Sequence, residues 1–355
     1  MSLIVRRLTV SIVLMIGVAF FGCLRPQGAT VGDGAVTPKT VAFQHLKAAV
    51  QYKPNPVVRV AAVEALESSG VEESRPWIRS ALNDEHPAVR FAACMAIGRL
   101  RDPLAESMIE KRLDDPDSGV RVAAIYARHR LGRTELSGRL ATYLLTDKDV
   151  SVRRNAALAL GLLGERGAIK LLAKTMRDED PGVRQHVLEA LARLGNPEAR
   201  QELTFMTNAG LGSDEVFAIA ALAGTGERSC IDTFRYKLAN ATHLETKLAA
   251  ARGLGQLGVD DGFDTALRAI TSQRTLMYDP NDPPDAQRLR ARQMACAALG
   301  AIGREEAMAP LMHLLERSPD PRVQVSAAGA ILEITRRQER RRSAPPFPAP
   351  VSKQP

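Results

Sequence analysis

The feature that most constrains this chain is a ten-residue pattern that returns about every thirty-one residues. It reads VRVAAVEALE from Val58, VRFAACMAIG from Val89, VRVAAIYARH from Val120, VRRNAALALG from Val152 and VRQHVLEALA from Val183. The marker arginines Arg59, Arg90, Arg121, Arg153 and Arg184 stand 31, 31, 32 and 31 residues apart. Weaker copies follow as TKLAAARGLG from Thr246, ARQMACAALG from Ala291 and VQVSAAGAIL from Val323, with a degenerate one near Glu215. So regular a period means one supersecondary unit used again and again, each copy burying its apolar face against the next.

Within a unit the apolar residues fall at helical spacing. Val89, Ala92, Ala93, Ala96, Ile97 and Leu100 line one helix face. The alanines let neighbouring helices approach closely. Asn55-Pro56, His86-Pro87, Asp180-Pro181 and Asp320-Pro321 mark helix starts, because proline loses nothing at a first-turn position whose N–H is unpaired anyway. A second apolar-periodic segment follows each pattern, such as RPWIRSAL from Arg75, GAIKLLAKTM from Gly167 or NPEARQELTFM from Asn196. The spacing therefore predicts an all-α chain of eight to nine stacked two-helix units over residues 40–335.

The D-x-x-V-R-x-x-A-A-x-A-L-G pattern resembles HEAT repeats, in the short variety called PBS-lyase HEAT-like repeats. The resemblance is strongest between Val58 and Ala192. It implies a right-handed α-solenoid. In such families the second helix of each unit lines the concave side, which implies Lys170 and Lys174, one turn apart on such a helix, as partner contacts. A solvated face is the plain alternative for that pair.

Six residues before the repeat arginine stands an aspartate in four consecutive units: Asp84 before Arg90, Asp115 before Arg121, Asp147 before Arg153 and Asp178 before Arg184. Arginine forks paired with carboxylates or helix-terminal carbonyls can run as a ladder between units. A partly buried charge must be paired, so the ladder reads as structural rather than as an anion-binding stripe.

The period breaks once. Lys247 and Arg292 are 45 residues apart, and the surplus lies in an inserted loop at 271–287 that carries Tyr278 beside Asp279, Asn281, Asp282 and Asp285. Insertions in repeat stacks project on one face, so Tyr278 is a third candidate partner contact. The loop lacks the glycine and terminal glutamate of an EF-hand, and no metal is expected there.

Charge sits at the ends. Of the formal +8, residues 1–39 hold +3 and residues 336–355 hold +5, which leaves the repeat body neutral. A neutral body has no electrostatic reason to seek a phosphate backbone. Residues 1–22, with Arg6 and Arg7 before an apolar run from Leu8 to Phe21, have the layout of a signal peptide or membrane anchor. Gly22-Cys23 at its end resembles the lipobox of bacterial lipoproteins, which implies Cys23 as an acylated residue. Phe20 and Phe21 depart from that family's usual small and aliphatic residues. Residues 23–39 read as a flexible linker, and 336–355 as a basic, proline-rich disordered tail.

Recognisable reaction chemistry is missing from the sequence. It holds no G-x-S-x-G, no phosphate-cradling glycine loop and no H-E-x-x-H, and its six histidines are spread across units at no ligand spacing. No catalytic, cofactor-binding or metal-ligating residue is expected. The reading that follows is a non-enzymatic protein-interaction scaffold at the bacterial cell envelope, held to the membrane at its amino terminus. Its alternatives are a chromophore lyase or isomerase of the PBS-lyase type, which the resemblance suggests, and a HEAT-like nucleic-acid binder.

Overall fold

A computed structural model describes residues 37–272 and 282–343. They form eighteen α-helices with no strand among the described residues. Chain order begins with α1 (Pro38–Val50), α2 (Pro56–Ser69), α3 (Arg75–Ala81), α4 (Pro87–Leu100), α5 (Glu106–Arg112) and α6 (Ser118–Arg130). It continues with α7 (Gly138–Thr146), α8 (Val150–Leu163), α9 (Ile169–Thr175), α10 (Pro181–Arg193), α11 (Pro197–Met206) and α12 (Gly212–Ala223). The last six are α13 (Ile231–Asn240), α14 (Leu244–Gln256), α15 (Phe263–Thr271), α16 (Pro284–Ile302), α17 (Met308–Arg317) and α18 (Pro321–Ser343).

The helices begin where local chemistry says they should. Asn55, His86, Asp117, Asp149 and Asp180 each accept a hydrogen bond from a backbone N–H of the first turn, and α2, α4 and α10 place proline at that turn. Gly70, Gly164 and Gly303 end α2, α8 and α16 in the left-handed conformation. At the end of α4 the same position is held by Arg101, the one non-glycine residue with positive φ (48°) among the described residues.

The even-numbered helices, which carry the V-R pattern, pack directly side by side from α2 round to α18, and α18 packs in turn on α2. The stack is therefore closed into a ring of nine inner helices. The odd-numbered helices form an outer layer, some of them seated between two inner helices, as α3 is between α2 and α4 and α15 between α14 and α16. The groove between α18 and α2 is filled by α1, from the opposite end of the chain. The ninth unit thus takes its inner helix from one end of the sequence and its outer helix from the other. Terminal units of an open stack expose an apolar face and need caps; here the two ends cover each other. Lys39 Nζ meets Glu339 Oε1 at 2.7 Å across this seam, and the Arg336 side chain lies over Gly70.

Ring geometry decides which layer is inside. Inner neighbours must sit closer than outer ones, so the helices with the smallest side chains take the inner layer. A Cβ added at Gly161 would come within 2.7 Å of Ala190 Cα, and one at Gly255 within 2.7 Å of the Ile302 backbone nitrogen. This corrects the expectation that second helices line the concave side. Lys170 and Lys174 lie exposed on α9 in the outer layer.

Three boundaries also differ from the sequence reading. Residues 336–343, expected to be disordered, extend α18 to Ser343, because Arg336 and Arg337 both reach back to Glu333 and lie over the caps at Gly70 and Gly303. The expected linker stops two residues short, because α1 begins at Pro38. The insertion is helical from Pro284 onward; its Tyr278 and Asp279, like Cys23, lie outside the described residues.

Candidate interaction surface

Two surfaces collect polar chemistry: the rim where outer helices turn into inner ones, and the face lining the ring's centre. At the rim the ladder has a fixed geometry. Arg59 Nε and Nη2 donate to Asp84 at 2.8 and 2.8 Å, Arg90 to Asp115 at 2.9 and 2.8 Å, and Arg153 to Asp178 at 2.9 and 3.0 Å. The bidentate partner is always the aspartate 25 residues on, in the next unit. The six-residue spacing seen in the sequence is served by the backbone instead. Nη1 of Arg90, Arg121, Arg153 and Arg184 donates to the carbonyl of Asp84, Asp115, Asp147 and Asp178. Each fork thus staples the loop of its own unit to that of the next, buried enough that loss of one partner strands a charge. Arg90 holds the Asp115 carboxyl below its ordinary range despite the opposing cost of burial.

Two rungs differ. Arg121 has no aspartate and gives Nε to the Tyr143 hydroxyl at 3.1 Å and Nη2 to Ser118 Oγ at 2.8 Å. Arg184 uses only Nη1, on the carbonyls of Asp178 and Glu179. The position 25 residues on is Ala209, and one unit further Val216 replaces the marker arginine. A fully buried ion pair stands nearby, with Lys237 Nζ and Thr246 Oγ1 both donating to the Glu215 carboxylate at 3.1 Å. Beside this break the surface turns apolar. Phe205, Leu211 and Tyr236 are 62%, 61% and 59% exposed, and Phe205 and Tyr236 occupy equivalent positions one period apart. Leu145, Lys148, Arg153 and Asp178 line a shallow depression two units back along the same rim.

The centre is narrow. Nine inner helices spaced about 9 Å apart put their axes on a circle of roughly 13 Å radius, of which the helix half-width takes about 5–6 Å. Glu64 of α2 shows this directly. Its side chain is open to solvent yet walled in by protein on every side, and this enclosure pushes its carboxyl up to about 7. Arg99 of α4 and Arg252 of α14, three helices away round the ring, pull it down, and Glu67 pushes it up. Glu67 itself is gripped by the Arg99 fork at 2.5 Å. Arg130 gives Nε to the Gly98 carbonyl of α4 at 3.4 Å; Arg193 gives Nη1 to the Gly224 carbonyl at the end of α12 at 2.8 Å and its Nε and Nη2 to Glu189. The lumen's arginines are therefore largely spent on structure.

Cys94 and Cys296 are fully buried on α4 and α16, where desolvation pushes both thiols well above their ordinary range and keeps them inert. No group of three metal-ligating side chains occurs among the described residues, and no helix among them is long and apolar enough to cross a membrane. The Asp–Arg spacing was legible in the sequence; the apolar patch was not. Its signal was the period itself, which sets Ala209 where an aspartate belongs and repeats an exposed aromatic at 205 and 236.

Residues 43–127 and 139–210 match the model of HEAT repeats, and residues 299–336 match the armadillo/beta-catenin-like repeat. Among solved structures, the chain is similar to a chain of the complex of CpcE and CpcF of phycocyanin lyase from Nostoc sp. PCC7120, at 20% identity and a TM-score of 0.43, over 67% of this chain and 95% of that one. It is also similar to human deoxyhypusine hydroxylase, at 18% identity and a TM-score of 0.35, over 74% of this chain and 97% of that one. No curated protein matches the sequence.

Proposed function

Starting from a HEAT-repeat protein whose units close into a ring, we propose that this chain is a non-enzymatic protein-interaction scaffold at the bacterial cell envelope. The observation that carries the proposal is the rim beside Ala209, where Phe205, Leu211 and Tyr236, three of the five exposed large apolar side chains among the described residues, fall within two consecutive units. Repeat folds of this kind generally bind proteins along such surfaces. The envelope part rests on the sequence of residues 1–24, with Cys23 as the acylated residue and the membrane as second partner. The seam supports it: Lys39 and Glu339 in contact mean that the amino-terminal segment and Arg340, Arg341 and Arg342 leave the ring at one place, so a tether and a basic cluster would meet the same surface.

The test has two parts. Intact mass of the protein purified from membranes should show an acylated chain beginning at Cys23, lost in Cys23→Ser. Crosslinking in envelopes should capture a protein partner with the wild type and lose it with Phe205→Ser/Tyr236→Ser. A soluble, unmodified amino terminus refutes the location. Capture unchanged by the double variant refutes the surface.

A further inference from the structure

The break in the ladder is more than a missing contact. In three rungs one carboxylate receives the same three donors. For Asp84 they are Arg59 Nε and Nη2 and the His86 N–H at 2.8 Å; for Asp115, Arg90 and the Asp117 N–H at 3.1 Å; for Asp178, Arg153 and the Asp180 N–H at 2.9 Å. The rung of Arg184 keeps the 25-residue spacing and lacks the carboxylate. Ala209 has the backbone of a ladder aspartate: its N–H donates to the carbonyl three residues back at 3.2 Å, as Asp84 and Asp115 do at 3.2 Å and Asp178 does at 2.9 Å. Arg184 is fixed in the ladder position by its two Nη1 bonds. Its Nε and Nη2 have no partner among the described residues and are not sealed from solvent; the Leu211 N–H, two residues beyond Ala209, has none either, and the turn between them differs from the filled rungs in passing through a left-handed Gly210 (φ 74°). Arg121, the other marker arginine without an aspartate, has its fork filled by Tyr143 and Ser118. Among the five strong copies of the pattern, Arg184 is the one whose Nε and Nη2 have no partner among the described residues, which leaves its slot open.

We propose that this slot receives a carboxylate from outside: an Asp or Glu side chain of a partner protein, flanked by apolar residues that rest on Phe205, Leu211 and Tyr236. The charge argument selects the acid, since a planar guanidinium fork with Nε and Nη2 free matches a carboxylate, as the forks of the three filled rungs demonstrate. The exposed side chains select what surrounds the acid. Phe205 and Leu211 lie four and two residues from Ala209, and Tyr236 repeats the Phe205 position one unit on. Aromatic anchors around a charge-assisted hydrogen bond are the usual composition of an interface centre. This inference deepens the scaffold reading and rests on it, by naming the chemistry of the segment bound.

The repeat supplies its own plug. Ala209→Asp places a carboxylate where the other rungs have one, so it should raise the melting temperature while closing the slot, and a folding defect cannot be mistaken for lost binding. The experiment selects a random dodecapeptide phage library on the full-length wild-type protein, with Ala209→Asp as the counter-selection target. Selected peptides should carry Asp or Glu next to aromatic or aliphatic residues. A synthetic copy should bind wild type at least tenfold more tightly than Ala209→Asp, Arg184→Gln or Phe205→Ser, and should lose that advantage when its acid is changed to the amide. Free acetate should compete only at concentrations far above the peptide's. Peptides without an acid, or with equal affinity for wild type and Ala209→Asp, overturn the slot. If an envelope partner is still captured in that case, the scaffold reading survives without it; if acidic peptides bind as predicted but no envelope protein is captured, the slot stands and the scaffold reading falls.

Discussion

The ring closes where α18 packs on α2, and a single substitution in α1, the helix that covers this seam, should uncover it. Leu46 is fully buried where α1 lies between α18 and α2, flanked by Ala42, Ala49 and Val50. Truncating a buried leucine costs about 2–5 kcal/mol through lost burial and the cavity left behind. Taking about 3 kcal/mol, the population with α1 undocked should rise by roughly a hundredfold. The one ion pair across the seam among the described residues, Lys39–Glu339, is about half exposed and worth less than about 1 kcal/mol, so α1 is held there mainly by its buried apolar face. Hydrogen exchange read by mass spectrometry should therefore show protection of residues 38–50 falling by about two orders of magnitude in Leu46→Ala. Exchange in α18 and α2, which lose their shared outer helix, should also quicken, while α8 and α10 are spared. The control is Leu172→Ala, an equally buried leucine on α9 in the middle of the chain. It should cost similar global stability and leave α1 protected. If α1 exchanges alike in wild type and Leu46→Ala, or if both variants expose α1 equally, the seam is not a separable closure and the reasoning fails.

The seam should also weaken in acid. His45, buried on α1 with its Nε2 unpaired, is pushed down to about 4 by burial. A lowered histidine stays neutral in the folded state while the unfolded chain binds a proton, so stability is intact above about pH 6.5 and falls by up to about 3 kcal/mol toward pH 4. Denaturation midpoints measured from pH 7 to 4 should show that slope, and His45→Leu should flatten it. Breaking a rung should be costly: Asp115→Asn leaves Arg90 without its buried carboxylate, at about 3–5 kcal/mol by chemical denaturation. Gly161→Ala should destabilise by more than about 1 kcal/mol despite alanine's better helix propensity, because its Cβ would collide with the Ala190 backbone; a stabilised variant would show the inner helices to be further apart. Arg101→Gly should gain up to about 1 kcal/mol in a thermal melt by relieving a left-handed arginine.

Much of the rim was readable beforehand. The aspartates and arginines of the ladder are declared by their spacing, because the rungs repeat with the chain. Their pairing was not, since the fork of Arg90 bypasses the aspartate six residues before it, takes only that residue's carbonyl, and gives its charge to Asp115 in the next unit. Lys170 and Lys174 were placed on the wrong layer because sequence shows two amphipathic helices per unit and not the curvature that decides which is squeezed.

By itself, the sequence determined what is local: a 31-residue period, helix starts at Pro56, Pro87 and Pro181, alanine faces for close approach, and an aspartate in every rung but those that break. Only the tertiary structure decided the closure. Nine units complete a turn when each rotates by about 40° on the last, and an error of a few degrees, multiplied nine times, would leave a gap or a climbing spiral. No single repeat encodes that sum. It is fixed by how every pair of neighbours packs, which is why α1 meets α18 and Glu64 feels Arg252.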